Sequence, residues 1–306
     1  KAAAAERAKA LEQLRATDAE RRAELQQLRS AGARHATQLQ NAQAALGAKE
    51  AALTDALRMS ESGADVIDIG AQSTRPGLTP VSPEEEVRRA APVLEAIRAS
   101  GLTTPISLDT NSAEVVERLV PLGVSMVNDI SGGLHDPNML PTLAKLEIPA
   151  VLMHTRGGLT EMHEMTPHFT DLIGEVRAEL QGRLEAAFEA GVPRWRLIAD
   201  PGVGFAKSSS DNLRLIRSLG EFVGERGLGV PLLLGVSRKA FIGKALGGVP
   251  AQRRGWGTAA ACAACIPHAD VLRVHDVDEM RQVVAIADAI HRDATLTDWE
   301  REGRGV

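Results

Sequence analysis

The chain has 306 residues, 44% of them hydrophobic and 25% charged, which suits a soluble globular protein of one large domain with an appendage, or of two ordinary domains. A formal charge of −5 excludes a global attraction to nucleic acid or to an anionic membrane surface, and no apolar run approaches the ~20 residues that a bilayer span needs. No secretory leader is visible, and two cysteines fit a reducing compartment, cytoplasmic or, with an upstream targeting segment removed, an organelle matrix.

Residues 1–46 are rich in Ala, Glu, Gln, Arg and Leu, all strong helix formers, and contain no Pro. Leu11, Leu14, Leu25, Leu28 and Leu39 share one seam of a seven-residue repeat, but Asp18, Arg21, Gly32 and His35 occupy the seam positions between them. Only alternate heptads are apolar, so this is a weakly coiled-coil-like helical segment, either an oligomerisation arm or a solvated helix. It is expected to form one or two exposed helices. Residues 47–306 make the second domain. KEAALTDALRMSESG is amphipathic and stops at Gly63, a natural helix end.

Seven short apolar runs follow: VIDIGAQSTRPG (66–77), PISLDTN (105–111), VSMVNDISGG (124–133), AVLMHTRGG (150–158), WRLIADPGVGFAK (195–207), PLLLGVSRKAFIG (231–243) and DVLRVHDV (270–277). Each ends in polar, charged or Gly residues. A parallel strand buried on both faces reads as such a run. Helical patterns fill every crossover, including SPEEEVRRAAPVLEAIRASG, with Ser82 as cap and Pro83 in the first turn. Alternating β and α predicts a parallel sheet. Seven strands are one short of a closed (β/α)8 barrel, in which functional groups sit at the strands' carboxyl ends. Neither a GxGxxG loop after a strand nor a Walker sequence appears, which counts against dinucleotide and P-loop folds.

The strand ends carry the chemistry. Asp109, Asn128 and Asp200 can together read a flat, nitrogen-rich heterocycle, because carboxylates accept N–H bonds and Asn both donates and accepts. Each could instead cap the next helix. Ser237-Arg238-Lys239 and Arg273-Val274-His275 come from the last two strands, a region of barrels that often binds phosphate. Their cations would clamp an anion; the alternative for Arg273 is a surface salt bridge to Asp276 or Asp278. Thr74 and Arg75 could add a hydroxyl and another cation. In DPGVGFAK, Gly202 and Gly204 permit close backbone approach, and Phe205 could stack on a ring. Asp68, Asp109 and Asp129 lack His or Cys companions at metal spacing, so no residues are assigned to a metal; Mg2+ would enter through phosphates. Cys262 and Cys265 lie in an Ala-rich helical run without a second ligand pair and read as packing residues.

These segments resemble dihydropteroate synthase. The match rests on QSTRPG (72–77), SLDT (107–110), NDISG (128–132), LMHTRG (152–157), DPGVGFAK (200–207), GVSRKAFIG (235–243) and RVHDV (273–277), in the family's order, and spans about 48–292. The resemblance implies a TIM-type pterin-binding (β/α)8 barrel and a homodimer. The implied reaction joins 6-hydroxymethyl-7,8-dihydropterin pyrophosphate to p-aminobenzoate, with Mg2+, on the way to folate. It also implies that Asp109, Asn128, Asp200 and Lys239 hold the pterin. Thr74, Arg273 and His275 would then hold the pyrophosphate, and Arg75, Pro76, Phe205 and Ser237 would shape the aminobenzoate site.

The family's opening strand, ending in Asn-x-Thr-Pro-Asp-Ser-Phe, has no counterpart here; Gln72 stands where the family usually has Glu, and Pro121 interrupts a helix. Either the barrel lacks that strand or the strand lies upstream of Lys1, with 1–46 as an insertion in the first loop; little or no turnover is expected of residues 1–306 alone. Two alternatives remain: a degenerate, non-catalytic barrel with a structural role, and a pterin-binding methyltransferase.

Overall fold

A computed structural model of the protein describes residues 44–72, 81–158, 168–224 and 227–292. The chain divides into two compact units, 1–52 and 53–306. Of the first, the described residues 44–52 are helical. The expected heptad seam and arm lie outside the described residues, as does the QSTRPG loop from Ser73 onward.

The second unit alternates strand and helix, with one additional helix before its last strand. Its helical residues up to 61 complete α1 (44–61), which ends at Gly63 with φ +89°. There Ala64 N donates to Met59 O at 3.0 Å, closing the helix as a left-handed glycine allows. Strands and helices then follow as β1 (Ile67–Ile69), α2 (Pro83–Ala99), β2 (Ile106–Asp109), α3 (Ala113–Leu119), β3 (Met126–Asp129), α4 (Met139–Lys145) and β4 (Ala150–Met153). After them come α5 (Leu172–Glu189), β5 (Leu197–Asp200), α6 (Ser209–Arg217), β6 (Leu233–Leu234), α7 (Ala240–Ala245), α8 (Gly255–Cys265), β7 (Val271–Leu272) and α9 (Val277–His291). All seven apolar runs contain a strand. Ser82 caps α2, its hydroxyl accepting from Glu85 N, with Pro83 in the first turn. Pro121 falls where α3 tightens into a 3-10 turn over Val120–Leu122, so it ends the α-helix without breaking a longer one.

β1 to β5 form one parallel sheet in sequence order, and β6 pairs with β7. A parallel bridge from Ala199 to Leu232 joins the two. In a flat array β1 and β7 would stand nearly 30 Å apart, at about 4.8 Å per strand. Yet Arg273, just past β7, donates Nε to Asp68 of β1 at 2.5 Å. The array therefore curls until its outer strands face one another, as in a (β/α) barrel. Among the described residues no backbone ladder joins β7 to β1, consistent with a barrel lacking its first strand.

The helices wrap the outside. In α5, Leu172, Val176, Leu180 and Leu184 recur every four residues and are all buried, the stripe an amphipathic helix turns to its core. Fully burying each such leucine is worth roughly 1.5–3 kcal/mol. Cys262 and Cys265 are free thiols buried in the same core, and burial pushes them up to about 11 and about 12.

Candidate active site at the barrel mouth

Register decides which strand-end groups meet. Asp68 pairs laterally with Ser107, Asp109 with Asn128, Asn128 with Val151, and Met153 with Asp200. Laterally paired residues of parallel strands share a face, and so do residues two apart along a strand. Asp68, Asp109, Asn128 and Asp200 thus all project from one face, towards the inside of the curl. Asp129, one step further along β3, points the other way. Its carboxylate accepts from Ser131 N and Oγ and from Gly133 N at 2.7–2.8 Å, so it organises the NDISG turn.

Asp109 is strongly perturbed. Burial first, then the neighbouring Asp68 charge, push it up to about 7, against the opposing pull of Arg273. Gly70 leaves room beside it: a β-carbon there would lie 3.2 Å from that of Asp109. Asn128 Nδ2 donates to Asp68 Oδ2 at 3.3 Å. Asp200 is buried, accepts from Gly202 N at 2.7 Å, and is raised by burial although Lys239 pulls it down.

Across the mouth, Lys239 donates Nζ to Val203 O and lies 4.4 Å from the centre of the Phe205 ring, a cation–π contact. Burial pushes this amine down to about 8. Arg273 spans two carboxylates, with Nε on Asp68 and an Nη 3.0 Å from Asp109 Oδ2. It is not paired with Asp276, because Arg238 takes that carboxylate. Arg238 holds a left-handed φ of +58°, its N–H on Thr258 Oγ1 at 3.0 Å. His275 Nδ1 lies 2.9 Å from Ser237 Oγ.

The structure thus brings Asp109, Asn128, Asp200, Lys239 and Arg273 to one mouth, with Phe205 against Lys239, and pairs Ser237 with His275. Thr74, Arg75 and Pro76 lie outside the described residues. Two further groups belong to the mouth. Asp68 has the same face and a cation to hold, which only the strand register reveals. Lys207, buried, donates to His154 Nδ1 at 2.9 Å and to Gly202 O and Phe205 O at 3.2 Å, so it underpins the loop bearing Phe205. Among the described residues no three His, Cys, Asp or Glu side chains gather where a metal ion could sit. The described side chains form no Mg2+ cage.

Known proteins resemble this chain in sequence and in fold. Residues 40–275 match the model of the pterin binding enzyme family. The dihydropteroate synthase of Synechocystis is 44% identical over 242 residues, 79% of this chain and 82% of that one. The folic acid synthesis protein fol1 of Pneumocystis carinii is 41% identical over 80% of this chain, which spans only 33% of that longer protein. The dihydropteroate synthase of Xanthomonas albilineans with 4-aminobenzoic acid superposes with a TM-score of 0.72 and 40% identity, over 81% of this chain and 86% of that one. Mouth, barrel order and likeness agree: the chain belongs to the dihydropteroate synthase family of pterin-binding enzymes.

Proposed function

We propose that the protein condenses 6-hydroxymethyl-7,8-dihydropterin pyrophosphate with p-aminobenzoate, giving dihydropteroate and pyrophosphate. The observation that carries this reading is the ring of Asp109, Asn128 and Asp200 on one inner face, opposite Lys239 and Arg273. Acceptors on one side suit the N–H edges of a pterin, and Lys239 suits its carbonyl edge. Arg273 and His275, with Thr74, hold the pyrophosphate. Phe205, Ser237, Arg75 and Pro76 shape the aminobenzoate site. The methyltransferase alternative does not call for a cation set at the ends of the last two strands, and the relatives are synthases.

The chemistry needs no strong base. The bond from the exocyclic methylene carbon to the pyrophosphate oxygen lengthens, and the pterin ring spreads the cationic character. Asp109 and Asp200 stabilise that charge, while Arg273 and His275 stabilise the departing anion. The aniline nitrogen then bonds to the methylene carbon and gives up a proton to solvent. Mg2+ belongs to this proposal only as the counter-ion that arrives on the pyrophosphate oxygens.

Calorimetry tests the anion clamp. The protein should bind the pterin pyrophosphate tighter than the pterin alcohol by about 10- to 100-fold, the size of one or two charge-assisted bonds. Arg273→Ala should remove most of that preference. With enzyme in excess over the pyrophosphate ester, dihydropteroate and pyrophosphate should form in equal amounts. Equal affinity for both pterins, untouched by the mutation, sinks the assignment.

A homodimer is also proposed. Trp256 of α8 and Ile290 of α9 are 91% and 69% exposed, unusual for side chains of this size, and a second copy would cover them. Light scattering should give twice the chain mass, and Trp256→Glu should lower it; a monomer at all concentrations rejects the proposal.

A further inference from the structure

We infer that Asp68 is a positioning residue for Arg273: when a pterin pyrophosphate displaces the guanidinium from Asp109, Asp68 holds it with its other Nη turned to the incoming anion. The inference rests on the site reading above. Asp109 has two claimants there. A pterin N–H edge needs its carboxylate, and in the structure Arg273 already occupies Oδ2 at 3.0 Å. A ligand edge that engages both oxygens of Asp109 displaces that nitrogen. A side chain held by Asp109 alone would then swing free, and re-ordering a long flexible arginine costs entropy.

Asp68 prevents this. Its Oδ2 takes Arg273 Nε at 2.5 Å and Asn128 Nδ2 at 3.3 Å, which fixes the carboxylate from two sides. Its side chain is 17% exposed, against 44% for Arg273, so the anchor lies deeper than the group it holds. Asp68 Oδ1 is buried and has no hydrogen-bond partner among the described residues. It is the acceptor for the nitrogen that leaves Asp109: with both oxygens engaged, Asp68 and Arg273 make a fork, and the other Nη faces outward. The other cations of the two anion-binding segments are committed, Arg238 to Asp276 and Lys239 to Val203 O and the Phe205 ring.

The test is the ratio of affinities for the pterin pyrophosphate and the pterin alcohol, measured by calorimetry on the full chain. Asp68→Asn should cut the wild-type ratio by roughly five- to tenfold, within the coupling usual for groups in contact. Asp68→Glu, which restores the carboxylate, should recover part of it. In the Arg273→Ala background, Asp68→Asn should change the ratio no further. Thermal melting of each variant checks that it is folded. The tether is overturned if Asp68→Asn weakens both ligands equally and leaves the ratio intact, or if its effect persists without Arg273. A wild-type protein with no preference between the two pterins overturns the site reading together with the tether, whereas a preference that survives both Asp68 variants overturns the tether alone.

Discussion

Replacing Asp109 by Asn should weaken pterin binding by about 10- to 100-fold, the cost of roughly 1–3 kcal/mol for a buried donor left facing the wrong group, while making the protein more stable above neutral pH. The two effects share one cause. Asp109 sits in a buried mouth beside Asp68, and burial followed by that like charge lifts it from its ordinary 3.8 to about 7. Its folded value is raised, so between about pH 4 and about pH 7 the folded state holds a proton that the unfolded state has lost. Its contribution to stability is thus fully present below the unfolded value and is lost as pH rises through about 7. The amide of the Asp109→Asn variant has no proton to lose, and Asp68 still has Arg273 for a partner. Urea titrations at pH 5 and pH 8 should show the wild type losing stability over that interval and the variant losing less. Pterin affinity of the wild type should rise over the same interval, as the acceptor becomes a carboxylate. An identical pH slope in both proteins, or a variant less stable at pH 8, rules out this account.

Such a trade of stability for binding is what a preorganised mouth implies. Asp68 and Asp109 are held together by Arg273, and Asp200 feels the charges of Lys239 and Arg273. The ligand's N–H groups then meet acceptors already stripped of water, and the rearrangement binding requires is confined to the shift of Arg273 from Asp109.

The strands β2 to β6 were legible in the sequence because most of their residues are buried on both faces, so that runs such as AVLM and LIAD are continuous and their polar ends stand out. Asp109, Asn128 and Asp200 were legible for the same reason. Facing was not. Asp68 and Asp129 look alike in the sequence, each a carboxylate at the end of an apolar run, and only the register turns one inward and the other into a turn. The partner of Arg273 was equally hidden. The sequence puts Asp276 three residues away, but Arg238 claims it, and Arg273 reaches instead to a strand 205 positions earlier. Local spacing carries no information about a contact made by curling the sheet. Lys207 stood in a recognised motif, yet its work depends on His154 at the end of the neighbouring strand.

That work leads to the second large effect. Lys207→Met should destabilise the fold on the order of 3 kcal/mol and loosen the loop carrying Phe205. An ammonium has three N–H donors, and Lys207 Nζ meets three acceptors: His154 Nδ1, Gly202 O and Phe205 O. Because the lysine donates to Nδ1, His154 carries its proton on Nε2, which faces Glu179 Oε2 at 3.0 Å. Burial, then the Lys207 charge, hold this imidazole neutral, far below its usual range. Glu179 in turn receives Arg156 Nε at 3.0 Å, so the chain of bonds runs from the loop after β5 through the end of β4 to α5. Methionine fills the volume but leaves all three acceptors bare, at about 1–3 kcal/mol each. Relief from burying an ammonium, which burial has already pushed down to about 7, offsets part of that. For a domain of this size the remainder corresponds to a melting point lower by roughly 6–12 °C. The backbone here has little slack to absorb the loss: Gly202 is at φ +71°, and a β-carbon on it would overlap the His154 carbonyl oxygen. The loosened segment carries Phe205, whereas Asp109 and Asn128 sit on strands that Lys207 does not touch. Aminobenzoate binding to the pterin-loaded protein should therefore weaken several-fold more than pterin binding itself. A melting point within a degree or two of wild type would show that the three acceptors do not depend on Lys207, and equal losses for both ligands would show that it supports the whole mouth rather than this loop.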